Sequence, residues 1–483
     1  MDTVLIVLCA LIALFVIYLL VNAARFRPEK QADIPAEPLE YDAEAAGAHL
    51  GAMLRCRTVS NRDESLMDWA EYDRFVALLS ELYPAAMEKL HFERAGKTGL
   101  IYRWEGATRD DPVVLMAHYD VVPAKAEEWS FDPFSGEVRD GVVLGRGALD
   151  TKSTLCAIFE AVDKLCRENY QPQRDFYLCF SGTEEIAGEG AYAIVDKLQK
   201  DGVKPCLTVD EGGAIVTGAF PGVKEPCAVV GISEKGQMAI RLSVKSGAGH
   251  ASAPPKNDAF SQLARAIAAL EKSPFKARMT ETSAQLFRTL GRHAGFGLRV
   301  VFGNLKLFTP LLCKLARALG NDVNALLRTT CVFTMAGGSE ASNVLPSEAW
   351  ATCDVRILNG STSEDVLAHF RKVIGNDNVQ IEPLFAVEPS PVSPTDCREW
   401  QAVSQAIRHT WPDALVSPYL MTARSDSSVY TSICRNVYRF APMKLSKEER
   451  ATIHGVDEMI PAEKVAKAAC FYERLIRSIS VSC

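Results

Sequence analysis

Three apolar runs in the first half of the chain, PVVLMAHYDVV (residues 112–122), RDFYLCFSGT (174–183) and PCLTVDEGG (205–213), each lead straight into histidine or acid. The helical stretch TKSTLCAIFEAVDKLCREN separates the first run from the second. Strand-length runs alternating with helical ones are the βαβ rhythm of an open, mostly parallel sheet with helices on both faces. Such sheets gather ligands at the carboxyl ends of their strands. The polar residues fall at those ends: His118 and Asp120, Glu184 and Glu185, Asp210 and Glu211. A scatter of structural charges would not repeat this placement.

With 483 residues the chain is long enough for two or three domains. A continuous α/β reading covers residues 43–230 and resumes over 388–483. Between them, GQMAIRLSVKSGAGHASAPP and TCVFTMAGGSEASNVLPSEAWATCDVRIL alternate as strands, so residues 231–387 are expected to form an inserted α+β domain. Inside it, residues 286–328 are an apolar and basic helical insert. Core packing or a dimer contact is its expected role, with an acyl-chain or membrane contact as the alternative. A net charge of −7 argues against a nucleic-acid partner. The fourteen cysteines form no CxxC pair or regular framework, so they read as small buried apolar residues of a reducing compartment.

Residues 4–24, VLIVLCALIALFVIYLLVNAA, carry no charge and are long enough to span a bilayer as a helix. Residues 1–24 are therefore expected to be a single-pass anchor, followed by a solvated linker over 25–42. Met-Asp-Thr is not a basic n-region, which disfavours a secretory signal, although VNA resembles a cleavage site. Arg25, Arg27 and Lys30 follow the span and Asp2 precedes it, which places the body in the cytoplasm, with secretion after cleavage as the alternative.

Counting candidate ligands gives His118, Asp150, Glu185, Asp210 and His454, a set suited to two Zn²⁺ ions per chain sharing one bridging carboxylate; Mn²⁺ or Co²⁺ would also fit N/O donors. Asp120, two residues from His118, is placed to orient that imidazole. Glu184, beside the ligand Glu185, is placed to take a proton from water.

The blocks MAHYDVVPA, GRGALDTKST, SGTEEIAGEGA, GAGHASAPP, SNVLPSEAWATCDVRIL and IHGVDE occur in an order that resembles the zinc metallopeptidase family of aminoacylase, carboxypeptidase G and carboxypeptidase S, over residues 50–475. TVDEGG and VYRFAPMKLSKEERATIHGVDE place the chain nearest the carboxypeptidase S and N-fatty-acyl-amino-acid synthase/hydrolase branch. The resemblance implies a two-zinc catalytic domain and a ferredoxin-like lid that mediates homodimers. His118, Asp150 and Asp210 would hold one metal, and Asp150, Glu185 and His454 the other. Glu184 would be the general base, and His250 would polarise the scissile carbonyl. Asn343 and Arg356 would grip a peptide or N-acyl amino acid, the arginine fork reading its free carboxylate. The implied reaction is hydrolysis of the amide bond next to that carboxylate by metal-activated water. A dipeptidase of the same family is the alternative, and a catalytically silent tethered relative is a further one.

One departure stands out. Where the family carries an arginine in a Gly/Thr-Asp-x-Arg block, ARSDSSVY has Ser428, with Arg424 nearby to compensate. His49, His91, His293, His369 and His409 match no block, and no cysteine lies in a Cys/His catalytic pattern.

Overall fold

The computed structural model describes residues 2–28, 38–218 and 220–480. Its largest sheet has eight strands, in the order Leu90–Ala95, Gly99–Trp104, Arg174–Ser181, Thr108–His118, Leu207–Val216, Val437–Leu445, Cys227–Glu234 and Leu415–Met421. The four central strands, from Arg174–Ser181 to Val437–Leu445, run parallel. The flanking pairings are antiparallel, except that Leu415–Met421 pairs in parallel with Cys227–Glu234 at the far edge. The sheet is thus mixed, with a parallel centre.

Strand Thr108–His118 shows why its run is continuously apolar. Val113, Leu115 and Ala117 enter one core, and Val114 and Met116 enter the core on the opposite face. Successive side chains of a strand point to opposite faces, so a strand covered on both must be apolar throughout. Helices Lys152–Arg167 and Ala462–Ser480 contribute to the first core and Gly190–Lys200 to the second.

A second sheet has four antiparallel strands, in the order Thr330–Gly337, Glu348–Ile357, Gly236–Lys245 and Val379–Val387. Here alternation is visible: Met238, Ile240, Leu242 and Val244 face Ala349, Ala351, Cys353 and Val355 in a core of their own. Helices Ala259–Lys272 and Ser363–Ile374 cover that core.

The helical insert departs from its expected place inside this smaller unit. Helices Glu281–Gly291 and Phe296–Phe302 send Leu286, Phe287, Leu290 and Phe302 into the core of the large sheet. Phe220 packs there edge-on against Phe287 and tilted against Phe302, with ring centroids 5.5 and 5.0 Å apart. Each such apolar burial is worth about 1.5–3 kcal/mol, which is what draws the segment to the larger core.

The N-terminal helix, Asp2–Arg25, is the one helix among the described residues long and apolar enough by itself to cross a membrane. Of the proposed linker, residues 29–37 lie outside the described residues, Lys30 among them.

Candidate active site

His118 is the last residue of the central strand Thr108–His118, in register with Ser181 at the end of its parallel neighbour. Glu184 and Glu185 follow Ser181 after a two-residue turn, so both strands deliver their polar residues to one sheet edge. Asp120 ties the two loops together: its two carboxylate oxygens accept the backbone N–H groups of Glu184 and Glu185, each at 3.1 Å. His118 Nδ1 lies 3.0 Å from the Asp120 carbonyl oxygen and 3.4 Å from its carboxylate. A carbonyl only accepts, so Nδ1 carries the proton and Nε2 is left to face the site. Asp120 therefore orients His118 first through its backbone.

Asp150 stands in the loop before helix Lys152–Arg167, and its peptide bond to Thr151 is cis. Glu458, from the IHGVDE block, fixes this loop. Its carboxylate accepts N–H bonds from Gly147, Leu149 and Asp150 at 3.0, 2.6 and 3.1 Å and pairs with Arg146 at 2.7 Å. The same block presents His454 from a residue with φ of +58°, in the left-handed region. His118 Nε2 is 2.9 Å from one Asp150 oxygen and His454 Nε2 is 3.0 Å from the other. His454 Nε2 is also 2.9 Å from Glu185. One carboxylate thus meets two imidazoles, one on each oxygen.

The next neighbour of His118 is Glu211, 3.4 Å from Nε2. Asp210 points elsewhere, accepting the Ser427 backbone N–H at 3.0 Å. A bulge explains the exchange. Asp210 pairs with Arg439 and Gly213 with Phe440 on the neighbouring strand, leaving Glu211 and Gly212 outside the ladder. Bulges re-aim side chains in this way. A Cβ at Gly213 would fall 1.8 Å from the Val229 carbonyl oxygen, so only glycine allows the two strands to approach there.

Electrostatics show what the cluster lacks. Asp120, Asp150, Glu184, Glu185, Asp210, Glu211 and Asp426 crowd around two imidazoles. Burial pushes Glu184 well above the usual carboxylate range; the His118 charge opposes this, while Glu211, Asp426 and Asp150 add to it. Burial likewise lifts Glu211 to about 8 and Asp426 to about 7. Asp150 alone goes the other way: burial would raise it, but its bonds to His118 and His454 hold it well below its ordinary value. The same bonds to Asp150 and Glu185 raise His454 to about 10. One Asp426 oxygen is buried without a hydrogen-bond partner among the described residues. Buried carboxylates in this excess call for added positive charge. Two sets, His118 with Asp150 and Glu185 and His118 with Glu184 and Glu211, have ligand atoms within 4.8 Å of one another, which fits a divalent ion.

Glu211, Asp426 and Glu458 join this site although sequence reasoning gave them no role. Of the sequence candidates, His118, Asp120, Asp150, Glu184, Glu185 and His454 come together. His250, Asn343 and Arg356 do not make a hydrogen bond or ion pair with the cluster among the described residues. His250 is exposed on a two-residue strand pairing, opposite Val344, and its Nδ1 accepts the Ser252 N–H at 3.1 Å. The Asn343 carbonyl accepts from Ala251. Arg356 donates Nε to Asp354 at 2.8 Å on its own strand. Arg424 donates to the Ser428 hydroxyl at 3.0 Å, one residue from the Ser427 amide that binds Asp210.

Residues 114–478 match the family described as peptidase family M20/M25/M40. A probable carboxypeptidase S-like 2 from Dictyostelium discoideum is 33% identical over 414 residues, covering 84% of this chain and 79% of that protein. The human N-fatty-acyl-amino acid synthase/hydrolase PM20D1 is 35% identical over 371 residues, covering 76% of this chain and 74% of its own. Among solved structures, the M20 family metallo-carboxypeptidase Sso-CP2 from Sulfolobus solfataricus superposes with a TM-score of 0.66 at 18% identity, covering 90% of this chain and 98% of that one.

Proposed function

The chain belongs to peptidase family M20/M25/M40, an enzyme family of peptidases and amidohydrolases, and from that premise we propose that it hydrolyses the amide bond of N-acyl amino acids or blocked peptides next to a free carboxylate. The observation that carries this reading is the Asp150 carboxylate held between His118 and His454, the arrangement of a bridging ligand. His118, Asp150 and Glu211 would hold one divalent ion, with Asp210 behind them, and Asp150, Glu185 and His454 the other. Zinc suits these donors, and manganese or cobalt also fits. When bound, such ions lower the pKa of water and polarise the scissile carbonyl.

The rest is done by this chain's side chains. Glu184, buried at the strand end beside Glu185, takes a proton from the attacking water and returns it to the leaving nitrogen. Asp120 holds the Glu184 and Glu185 amides, and Glu458 holds the Asp150 loop, so the backbone carrying these three carboxylates is fixed before substrate arrives. Reading of the substrate carboxylate falls to Arg356 by motif and to Arg424 by position. His250 and Asn343 would act from the unit built on the smaller sheet, residues 231–387, which would serve as a lid. Homodimer formation through that sheet rests on its edge strand Thr330–Gly337, which exposes Val332 and Met335. The N-terminal helix would anchor the chain with its body in the cytoplasm.

The test is initial rates of the full chain, loaded with zinc, on free dipeptides, N-blocked dipeptides and long-chain N-acyl amino acids. Turnover confined to the blocked and acylated compounds is expected. Turnover of free dipeptides alone would instead make it a dipeptidase, and none at all would make it a silent relative.

A further inference from the structure

The helical insert carries a surface that neither core accounts for. Residues 282–321 contain Arg288, Arg292, Arg299, Lys306, Lys314 and Arg317 and no acid, in a chain whose net charge is −7. Helix Leu305–Leu315 and the turn after it expose Leu307, Leu311, Leu315 and Leu319, and the preceding helix exposes Phe296. These five side chains are 42–50% exposed. A spacing of four puts the leucines on one stripe of the helix. The two helices meet at 97°, an elbow set at Asn304.

That elbow is where the N-terminal helix docks. Asn22 donates its side-chain amide to Asn304 Oδ1 at 2.8 Å, and Asn304 donates to the Leu19 carbonyl at 3.2 Å. Arg292 lies 5.2 Å over the Phe26 ring, and Ala23 is fully buried. The end of the apolar helix is therefore built into the folded body. A stripe of leucines flanked by lysine and arginine begins beside it.

We propose that the insert, from Phe296 to Leu319, is a second membrane contact: it lies in the headgroup region of an anionic bilayer, leucines toward the acyl chains and basic residues toward the lipid phosphates. Helices with such a composition bind interfaces in this way, and an anionic leaflet complements their charge. Because the end of the apolar helix is docked at the elbow, a lipid contact there sets the orientation of the body against the bilayer. Helix Glu281–Gly291, at the base of the insert, packs on the edge strand Leu415–Met421, which leads into the Arg424–Ser428 loop of the site. The insert is thereby joined to the edge-strand side of the catalytic sheet.

This inference rests on the N-terminal helix staying in the chain, and the test separates the two. The full chain is placed in nanodiscs of phosphatidylcholine and phosphatidylserine containing a lipid with a photoactivatable diazirine in its acyl chain, irradiated, and mapped by mass spectrometry. Label is expected both in Thr3–Arg25 and in peptides from 293–320. The combined variant Leu307→Glu, Leu311→Glu and Leu315→Glu should lose the second label by about tenfold and keep the first. These leucines lie half out of the core, so the substitutions leave the fold standing, which an unchanged melting temperature checks. Label in Thr3–Arg25 alone overturns the proposal, as does a doubled particle mass with the stripe unlabelled. Label in the insert but not in Thr3–Arg25 also overturns it, because a second contact at the helix exit requires the first.

Discussion

Asp150 holds the site together because its two oxygens are each engaged by a different histidine, and the roles of the neighbouring acids follow from where that leaves them. Burial pushes Glu184 well above the usual carboxylate range, and no histidine lies within ion-pair range of it among the described residues, so it is free to move protons. Glu184→Gln is expected to keep bound metal and lose turnover by at least about 10²-fold, measured by metal content and kcat on one acyl amino acid; a fully active variant would remove the base assignment. Glu211 and Asp210 can be separated in the same way. Glu211→Gln should lose about half the metal, while Asp210→Asn, whose side chain holds Ser427, should chiefly disturb the loop and kcat. The sequence blocks made His118, Asp150, Glu184, Glu185 and His454 legible because each sits beside a strand end or a glycine turn. Glu211 was hidden by the bulge, since plain alternation puts it on the opposite face from Asp210. Glu458 was hidden for another reason: its work is to hold backbone N–H groups of a distant loop, and nothing in a motif shows that.

Among the elements, strands announced themselves more clearly than helices did. A run such as VVLMAH has to be covered on both faces, and the alternation in GQMAIRLSVK has to have one face covered, so both sheets could be read from pattern alone. An amphipathic helix says only that it needs a core. The insert was therefore expected in the smaller unit, and the structure gives its apolar face to the larger one. Lys235 joins the two. From the start of strand Gly236–Lys245 its ammonium donates to the carbonyls of Ala325 and Arg328 at 3.2 and 2.8 Å. Burial, with the Arg356 charge beside it, pushes it down to about 7. Above that pH the folded chain has released a proton that the unfolded chain keeps until about 10.4, so folding stability rises with pH through this window. Between pH 7 and 9 the gain should be on the order of 1–2 kcal/mol in urea unfolding, and Lys235→Met should flatten the slope whatever its absolute stability. A variant with the wild-type slope would assign the effect to another group.

Over the whole molecule, one sheet edge collects residues from six separated stretches of chain, with buried pairs behind them setting the geometry. Arg439 and Glu234 are one such pair, 2.9 Å apart and both out of solvent; Glu234 in turn accepts from the Ser425 N–H and hydroxyl. That chain fixes the loop whose Ser427 amide holds Asp210. The N-terminal helix and the basic insert lie together on another part of the surface, so a net acidic protein still presents a positive face where its apolar helix leaves the body. The account stands or falls on the shared carboxylate. The most direct measurement is divalent metal per chain, by elemental mass spectrometry on the full chain equilibrated with zinc, for the wild type and Asp150→Ala. The account predicts two ions per wild-type chain and loss of both in the variant, because each is held in part by Asp150. A variant that keeps its full complement would contradict it.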